Sequence, residues 1–395
     1  MFMPQKCTLF FSAMLLAGGL VQAASFTQLP GGAIPSDVSA DGRIVVGANA
    51  SNSQYFMWTS GAGLEPIGGR VAGSGIGGSA RISADGSRVS GTAFNAANNS
   101  YEMAFRSMDT GQWTLLGGIG GSNGTSPVEV SAGWAISNNG QHVAGAAWAP
   151  GTASGRGRAT VWSEGTNSLI NLGDSGLSSG NNSTRAAAVS DDGKTVVGWG
   201  NGRRPMLWRD EAGDGNYIRS EITSSSGGAL SEATDMSSDG AWVVGIGSTG
   251  NAKQAWRWSA ATGTVNLGTL NLGYNGSASA VSEDGTIVLG YERPQAGLPY
   301  QGLGFIWTAE AGMQSFDAYL ASFGIDVGNT FNFSTPLAMS SDGKTFVGFG
   351  NLSGSPASVG FVVSIAAAVP EPSTYAMLSL GLLAVAGLRR CRKAA

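Results

Sequence analysis

Val189-Ser190-Asp191-Asp192-Gly193-Lys194-Thr195-Val196-Val197-Gly198 decides the fold, because the same unit recurs seven times between residues 38 and 348. The counterparts of Asp192-Gly193 are Asp41-Gly42, Asp85-Gly86, Asn139-Gly140, Asp239-Gly240, Asp284-Gly285 and Asp342-Gly343. Each stands between two apolar runs. A type I′ hairpin turn needs positive φ at both central residues, which Asn, Asp and Gly tolerate best, so each unit reads as a β-hairpin with such a turn. Two residues before every turn lies a serine: Ser39, Ser83, Ser137, Ser190, Ser237, Ser282 and Ser340. Five residues after each turn glycine comes another, Gly47, Gly91, Gly145, Gly198, Gly245, Gly290 or Gly348, where a side chain is expected to collide with a neighbouring strand.

After each hairpin comes a third apolar segment, such as 55–58, 205–208, 255–258 and 304–307. Phe56/Trp58, Trp256/Trp258 and Phe305/Trp307 stand two apart and share one face of a strand. The intervening Met57, Leu207 and Ile306 are also apolar, as burial on both faces requires. A fourth segment closes most units with Leu-Gly or Ile-Gly: 64–68, 113–117, 169–173 and 265–268. Successive turns lie 44, 54, 53, 47, 45 and 58 residues apart, near the ~40 to 50 expected of four-stranded propeller blades. The expected fold is therefore all-β, a seven-bladed propeller. The seventh unit lacks its fourth strand, and Phe26-Thr27-Gln28-Leu29-Pro30-Gly31-Gly32 supplies one. This N-terminal segment is expected to pair with Gly360–Val363 and close the ring.

Sixty-three glycines and a 12% charged fraction suit a chain of many turns. Residues 25–369 carry 17 basic against 25 acidic groups, a balance of −8. Phosphate binding needs a basic face, so nucleic acid is not an expected partner. Cys7 and Cys391 both fall in the terminal segments, leaving the body without a disulfide, a thiolate metal site or a cysteine nucleophile.

Residues 1–24 read as a secretory signal, with Lys6, an apolar run Leu9–Leu20 and a small-residue cleavage site at Val21-Gln22-Ala23. Met313, Phe316, Leu320 and Phe323 recur at spacings of three, four and three before Gly324. They predict one amphipathic helix of about eleven residues, a packing insert, ended by glycine. At the far end, Val369-Pro370-Glu371-Pro372-Ser373 precedes an apolar run from Tyr375 to Leu388, then Arg389-Arg390-Cys391-Arg392-Lys393. As a helix the run spans about 21 Å, short of the ~30 Å hydrocarbon core, so it is a marginal anchor with its basic end expected in the cytoplasm.

Chemistry is sparse. His142 is the only histidine, at a hairpin position filled elsewhere by Ile44, Arg88, Thr195, Trp242, Ile287 and Thr345. A structural or exposed role is expected of it, and histidine-based triads and zinc sites are disfavoured. Paired carboxylates remain open as glycosidase machinery, but the repeated aspartates are explained by their turns. Arginines show no cluster in the sequence fit to grip a carboxylated sugar. Asp210, Asp214, Gly215, Asn216 and Glu221 fit an EF-hand register, but Ala212 occupies a ligand position, so a polar hairpin loop is expected. The glycine-rich runs 68–78 and 117–124 lack the Lys-Ser/Thr of a phosphate loop and read as connections between units. No catalytic, cofactor or metal residues are assigned.

The repeats resemble the bacterial extracellular HAF repeats, with a consensus like A-V-S-A-D-G-x-V-V-V-G, then H-A-F-R-W and a terminal L-G, across residues 33–365. The histidine of that consensus is absent from every copy; Gln254-Ala255-Trp256-Arg257-Trp258 comes closest. The tail resembles the PEP-CTERM sorting signal of Gram-negative bacteria, with Pro370, Glu371 and Pro372 as its motif. These resemblances imply three parts: signal peptide 1–24, seven-repeat propeller 25–368, and sorting signal 369–395 with a short transmembrane helix. They imply an exosortase as processing partner, transient membrane insertion, and delivery through the inner membrane to the outer surface or matrix. The expected function is non-enzymatic interaction with extracellular polysaccharide; the alternative is a glycan-cleaving enzyme using acidic residues on propeller loops.

Overall fold

Serine, aspartate and glycine of each repeat build one hydrogen-bonded knot. In the computed structural model the Ser190 hydroxyl donates to Asp192 Oδ1 at 2.6 Å and accepts from the Thr195 amide at 2.9 Å. Asp192 Oδ1 also accepts from the Lys194 amide, and the Gly193 amide closes back on the Ser190 carbonyl at 3.0 Å. The other six units repeat this knot, with Asn139 standing in for aspartate in the third. The type I′ expectation is corrected here: all seven turn glycines have positive φ, between 65° and 75°, but no turn Asp or Asn does. The aspartate is selected as an acceptor for two turn groups, the serine hydroxyl and the amide two residues on, and only the glycine for its backbone.

The structure describes residues 24–49, 53–69, 77–124, 127–151, 157–176, 182–224, 229–247, 254–298 and 301–365. The signal segment and the sorting tail, including Pro370, Glu371 and Pro372, lie outside the described residues, as does the apolar run 375–388. No helix among the described residues is long and apolar enough to cross a membrane.

Each hairpin belongs to an antiparallel run of strands that follows chain order; the second sheet adds Val128–Glu129, parallel to Ser100–Ser107. The fourth sheet is typical, with Thr184–Val189, Thr195–Gly200, Arg204–Arg209 and Ile218–Glu221 hydrogen-bonded in sequence. The first strands of the seven sheets are Ala33–Val38, Arg81–Ile82, Ser131–Ile136, Thr184–Val189, Leu230–Met236, Tyr274–Val281 and Phe331–Met339. Fourth strands at Ile218–Glu221 and Gly312–Ser315 complete the fourth and sixth sheets, which carry no Leu-Gly signal. The fifth and sixth sheets touch through one bridge, Ile246 to Ser277. The seventh sheet takes its fourth strand from the start of the body: Ser25–Gln28 runs antiparallel to Ser358–Ser364, with Phe26 opposite Val363 and Gln28 opposite Phe361. The expected seam pairing is thus present.

Sheets pack face on face through their third strands. Tyr55, Phe56, Trp208, Trp256, Phe305 and Phe361 are all 1% exposed or less. Gly198 shows why its position excludes a side chain: a Cβ there would run into the Arg185 carbonyl of the adjoining strand, far inside contact distance. Gly47, Gly145, Gly245, Gly290 and Gly348 face such carbonyls too, whereas Gly91 faces the Tyr55 ring of the preceding sheet. The predicted eleven-residue helix is shorter, Phe316–Ala321, capped by Ser315. Met313 belongs instead to the strand Gly312–Ser315, whose pairing with Leu303–Thr308 outcompetes a helical turn there. Phe316 and Leu320 are fully buried as expected of a packing insert, Phe316 against Phe333, Phe346 and Phe361.

Candidate functional site

Six of the seven first strands carry a register shift at the same place, five residues before the turn Asp or Asn. Such a bulge re-aims the extra residue out of the ladder. The residues skipped are Ser36, Trp134, Ala187, Thr234, Ser279 and Leu337. Next to them the repeat places Ala135, Ala188, Ala280 and Ala338, but Asp37, Arg81 and Asp235 in the other three units. These first strands line two cavities.

The cavity at the turn ends, about 110 Å³, is lined by residues of all seven sheets, including Asp37, Arg81, Asp235 and Glu283. Asp37 accepts the Val38 and Ile82 amides, each at 2.9 Å, and Asp235 accepts the Val281 amide at 2.9 Å, so each carboxylate also ties one sheet to the next. Burial pushes the Asp235 carboxyl up to about 6, against the opposing pull of Arg81 and of its amide donors. Asp37 is raised for the same reason. Glu283 spans this opening, accepting from Asn138 at 2.7 Å and from the Ser238 amide and hydroxyl at 2.8 and 2.6 Å.

The other cavity is larger, about 190 Å³, and lies where the first strands begin. Antiparallel order brings the sheet-to-sheet connections to this side, and some of them are long: 12 residues separate Gly68 from Arg81 and Asn171 from Thr184. Long loops over a rigid scaffold are where binding groups concentrate. Trp134, Arg185, Glu232, Tyr291 and Arg81 line it. The Arg185 guanidinium lies 4.0 Å from the Trp134 ring centroid and 5.3 Å from that of Trp199. Arg185 Nη2 is 3.7 Å from Glu232 Oε2, and Glu232 Oε1 is held by Arg203. Burial pulls Arg185 down to about 10, while Glu232 opposes that shift, so Arg185 stays a cation at neutral pH. Arg203 is held at φ 59°, a left-handed conformation rare for a side-chain-bearing residue, beside Gly202.

These arginines form no cluster in the sequence, as read above, and only the stacking of sheets gathers them. One signal could have found them: aligned on the turn, Arg185 and Glu232 occupy the same repeat position in successive units, and Trp199 and Tyr291 share another.

The other candidates line neither cavity. His142 Nδ1 contacts the Ser163 hydroxyl at 2.8 Å, its ring packs against Gly193 of the next sheet, and burial lowers its pKa. Asp210 accepts the amides of Gly213, Asp214 and Gly215 at 2.7, 3.1 and 2.8 Å, which folds this loop back on itself. No group of three or more metal-ligating side chains occurs among the described residues.

Residues 368–393 match the PEP-CTERM protein-sorting motif. The motif marks an exported, surface-directed chain and implies processing by an exosortase. No curated protein matches the chain. Among solved structures, an oligogalacturonate lyase from Vibrio parahaemolyticus is similar over 89% of this chain and 98% of its own, at 11% identity and a TM-score of 0.53. The β-propeller domain of the Trilobed protease from Pyrococcus furiosus, described as having an open velcro topology, is similar over 89% and 100%, at 10% identity and 0.50. TolB from Acinetobacter baumannii is similar at 18% identity and 0.43; the matched region spans 62% of that chain and 71% of this one. At such identities the likeness bears on fold alone, an all-β, propeller-like architecture.

Proposed function

We propose that this is an exported, non-enzymatic binding protein of the HAF-repeat kind. Its seven sheets close as blades of one propeller, and its long-loop opening receives units of an extracellular polysaccharide. One observation carries the reading: indole, phenol, guanidinium and carboxylate groups of Trp134, Tyr291, Arg185 and Glu232 converge on a single cavity. Aromatic walls with a few placed polar groups are what a small-ligand site requires. Closure is supported by the pairing of Ser25–Gln28 with the last sheet and by contacts of strand Ala33–Val38 with all three later strands of that sheet.

In the proposed export route, residues 375–388 insert transiently in the inner membrane. Cleavage near Pro370-Glu371-Pro372 then frees the body to the outer surface or matrix. Replacing Pro370 and Glu371 by alanine is expected to leave full-length protein in the inner membrane fraction, where the parent loses its tail. Equal mass and location for both would remove this route.

A second reading, glycan cleavage, is favoured by the raised Asp235 carboxyl, since a general acid works best with a pKa near the operating pH. Incubation with exopolysaccharide from the native host separates the two. Retention with unchanged chain length is expected, and shortened chains would establish cleavage.

A further inference from the structure

Arg185 is a guanidinium with unspent donors. Among the described residues its guanidinium makes no hydrogen bond; its acidic neighbour, Glu232, stands 3.7 Å off, beyond hydrogen-bonding distance, and its other charged neighbours are Arg81 and Arg203. Its side chain keeps 24% exposure, and it lines the larger cavity. The guanidinium carbon lies over the Trp134 ring at 4.0 Å from its centroid and 5.3 Å from that of Trp199. Stacking occupies the faces of a guanidinium and leaves the N–H edge, the part that matches the two oxygens of a carboxylate. Arg81 adds a second guanidinium to the same cavity, with one Nη committed to the Ser36 carbonyl and its Nε without a partner.

Charge separates the two cavities. The larger one is lined by Arg81 and Arg185 against Glu232, and Arg203 stands 75% exposed beside it. The smaller has Arg81 against Asp37, Asp235 and Glu283. On a body of net charge −8, the long-loop end of this axis is a local excess of cations. An anion in a low-dielectric recess is attracted there more strongly than on open surface.

We propose that the larger cavity recognises an acidic sugar unit, whose oxyanion, a uronate carboxylate or a sulfate ester, meets the N–H edge of Arg185 with Arg81 behind it. This rests on the glycan-binding reading above and narrows it. At about 190 Å³ the cavity has room for about six waters at ~30 Å³ each. It therefore takes one unit or side group of a polymer, and the rest of the chain stays outside.

The test titrates the exported protein against polygalacturonate and against the same polymer after carboxyl reduction, with dextran sulfate and dextran as a parallel pair. Affinity for polygalacturonate is expected to fall tenfold or more on reduction, and to weaken as salt rises. Dextran sulfate binding as tightly as polygalacturonate would assign a general oxyanion site, and preference for the latter a uronate site. Arg185→Lys keeps the charge but loses the fork, so a tenfold loss is expected with an unchanged melting temperature. Arg81→Gln, checked the same way, serves if Arg185→Lys does not fold. Equal binding of charged and neutral polymers would overturn the acidic specificity and leave glycan binding standing. Binding of none would overturn both, and acid-selective binding indifferent to both variants would move the site elsewhere.

Discussion

Removing one hydroxyl, Ser190→Ala, takes a donor from Asp192 and leaves the Thr195 amide without its acceptor. Ser190 is fully buried, and its Oγ serves both Asp192 and the Thr195 amide. A buried group left unpaired costs about 1–3 kcal/mol, so the variant is expected to melt several degrees below the parent in calorimetry. An unchanged melting temperature would show that water replaces the hydroxyl. Asp235 gives a second expectation at this scale, with its sign set by the direction of the shift. Its folded pKa, about 6, stands above the ordinary 3.8. The folded state therefore holds the proton more tightly, and this contribution is full below about pH 4 and lost as pH rises through 6. Two units correspond to about 3 kcal/mol as a ceiling, reduced by whatever water enters the cavity. Turn aspartates such as Asp284 act in the opposite sense, because the Ser282 hydroxyl and the Thr286 amide and hydroxyl hold it low. They are common to parent and variant and cancel in a comparison. Asp235→Asn keeps an acceptor for the Val281 amide, so its stability relative to the parent is expected to climb between pH 4 and 6. Parallel denaturant midpoints across that range would refute the assignment.

Elements differ in how openly the sequence declares them. The seven hairpins were legible because serine, aspartate and two glycines recur at fixed offsets, each demanded by one hydrogen bond or one close approach. The turn type was not, because aspartate serves equally well as a left-handed residue and as an acceptor. First-strand bulges left no trace: Ala186-Ala187-Ala188 looks the same whether paired or skipped. Those bulges aim Trp134 into the cavity, which is why the candidate site stayed hidden while the scaffold did not. The helix Phe316–Ala321 was legible in its apolar face but not in its length, since Met313 suits either period. Phe316 is completely buried among three phenylalanines. Phe316→Ala is expected to destabilise by about 3–5 kcal/mol, read as a shift in denaturant midpoint with an unchanged slope. A loss under 1 kcal/mol would mean that the helix is an accessory to the seventh sheet.

For the whole molecule, the seam is the decisive contact. Ser25–Gln28 covers the outer edge of the last sheet, and Phe26 joins the cluster of Phe331 and Phe333 at centroid distances of 5.1 and 5.3 Å. Deleting Ser25–Gly32 exposes that edge and those rings together, and bare strand edges invite pairing between molecules. The truncated protein is expected to melt lower and to associate, measured by calorimetry and light scattering. Melting like the parent without association would remove the seam from the account of stability.

The same pairing sets a clock. Phe26 and Val363 are partners 337 positions apart, so in the proposed export route the first residues across the membrane wait for nearly the last. Ten residues, 365–374, separate the final strand from the apolar run, a reach of about 35 Å at full extension. In that proposed route the last strand arrives within this reach of the bilayer. By the same route the two ends of the body meet at the membrane face, and the proposed cut comes after them.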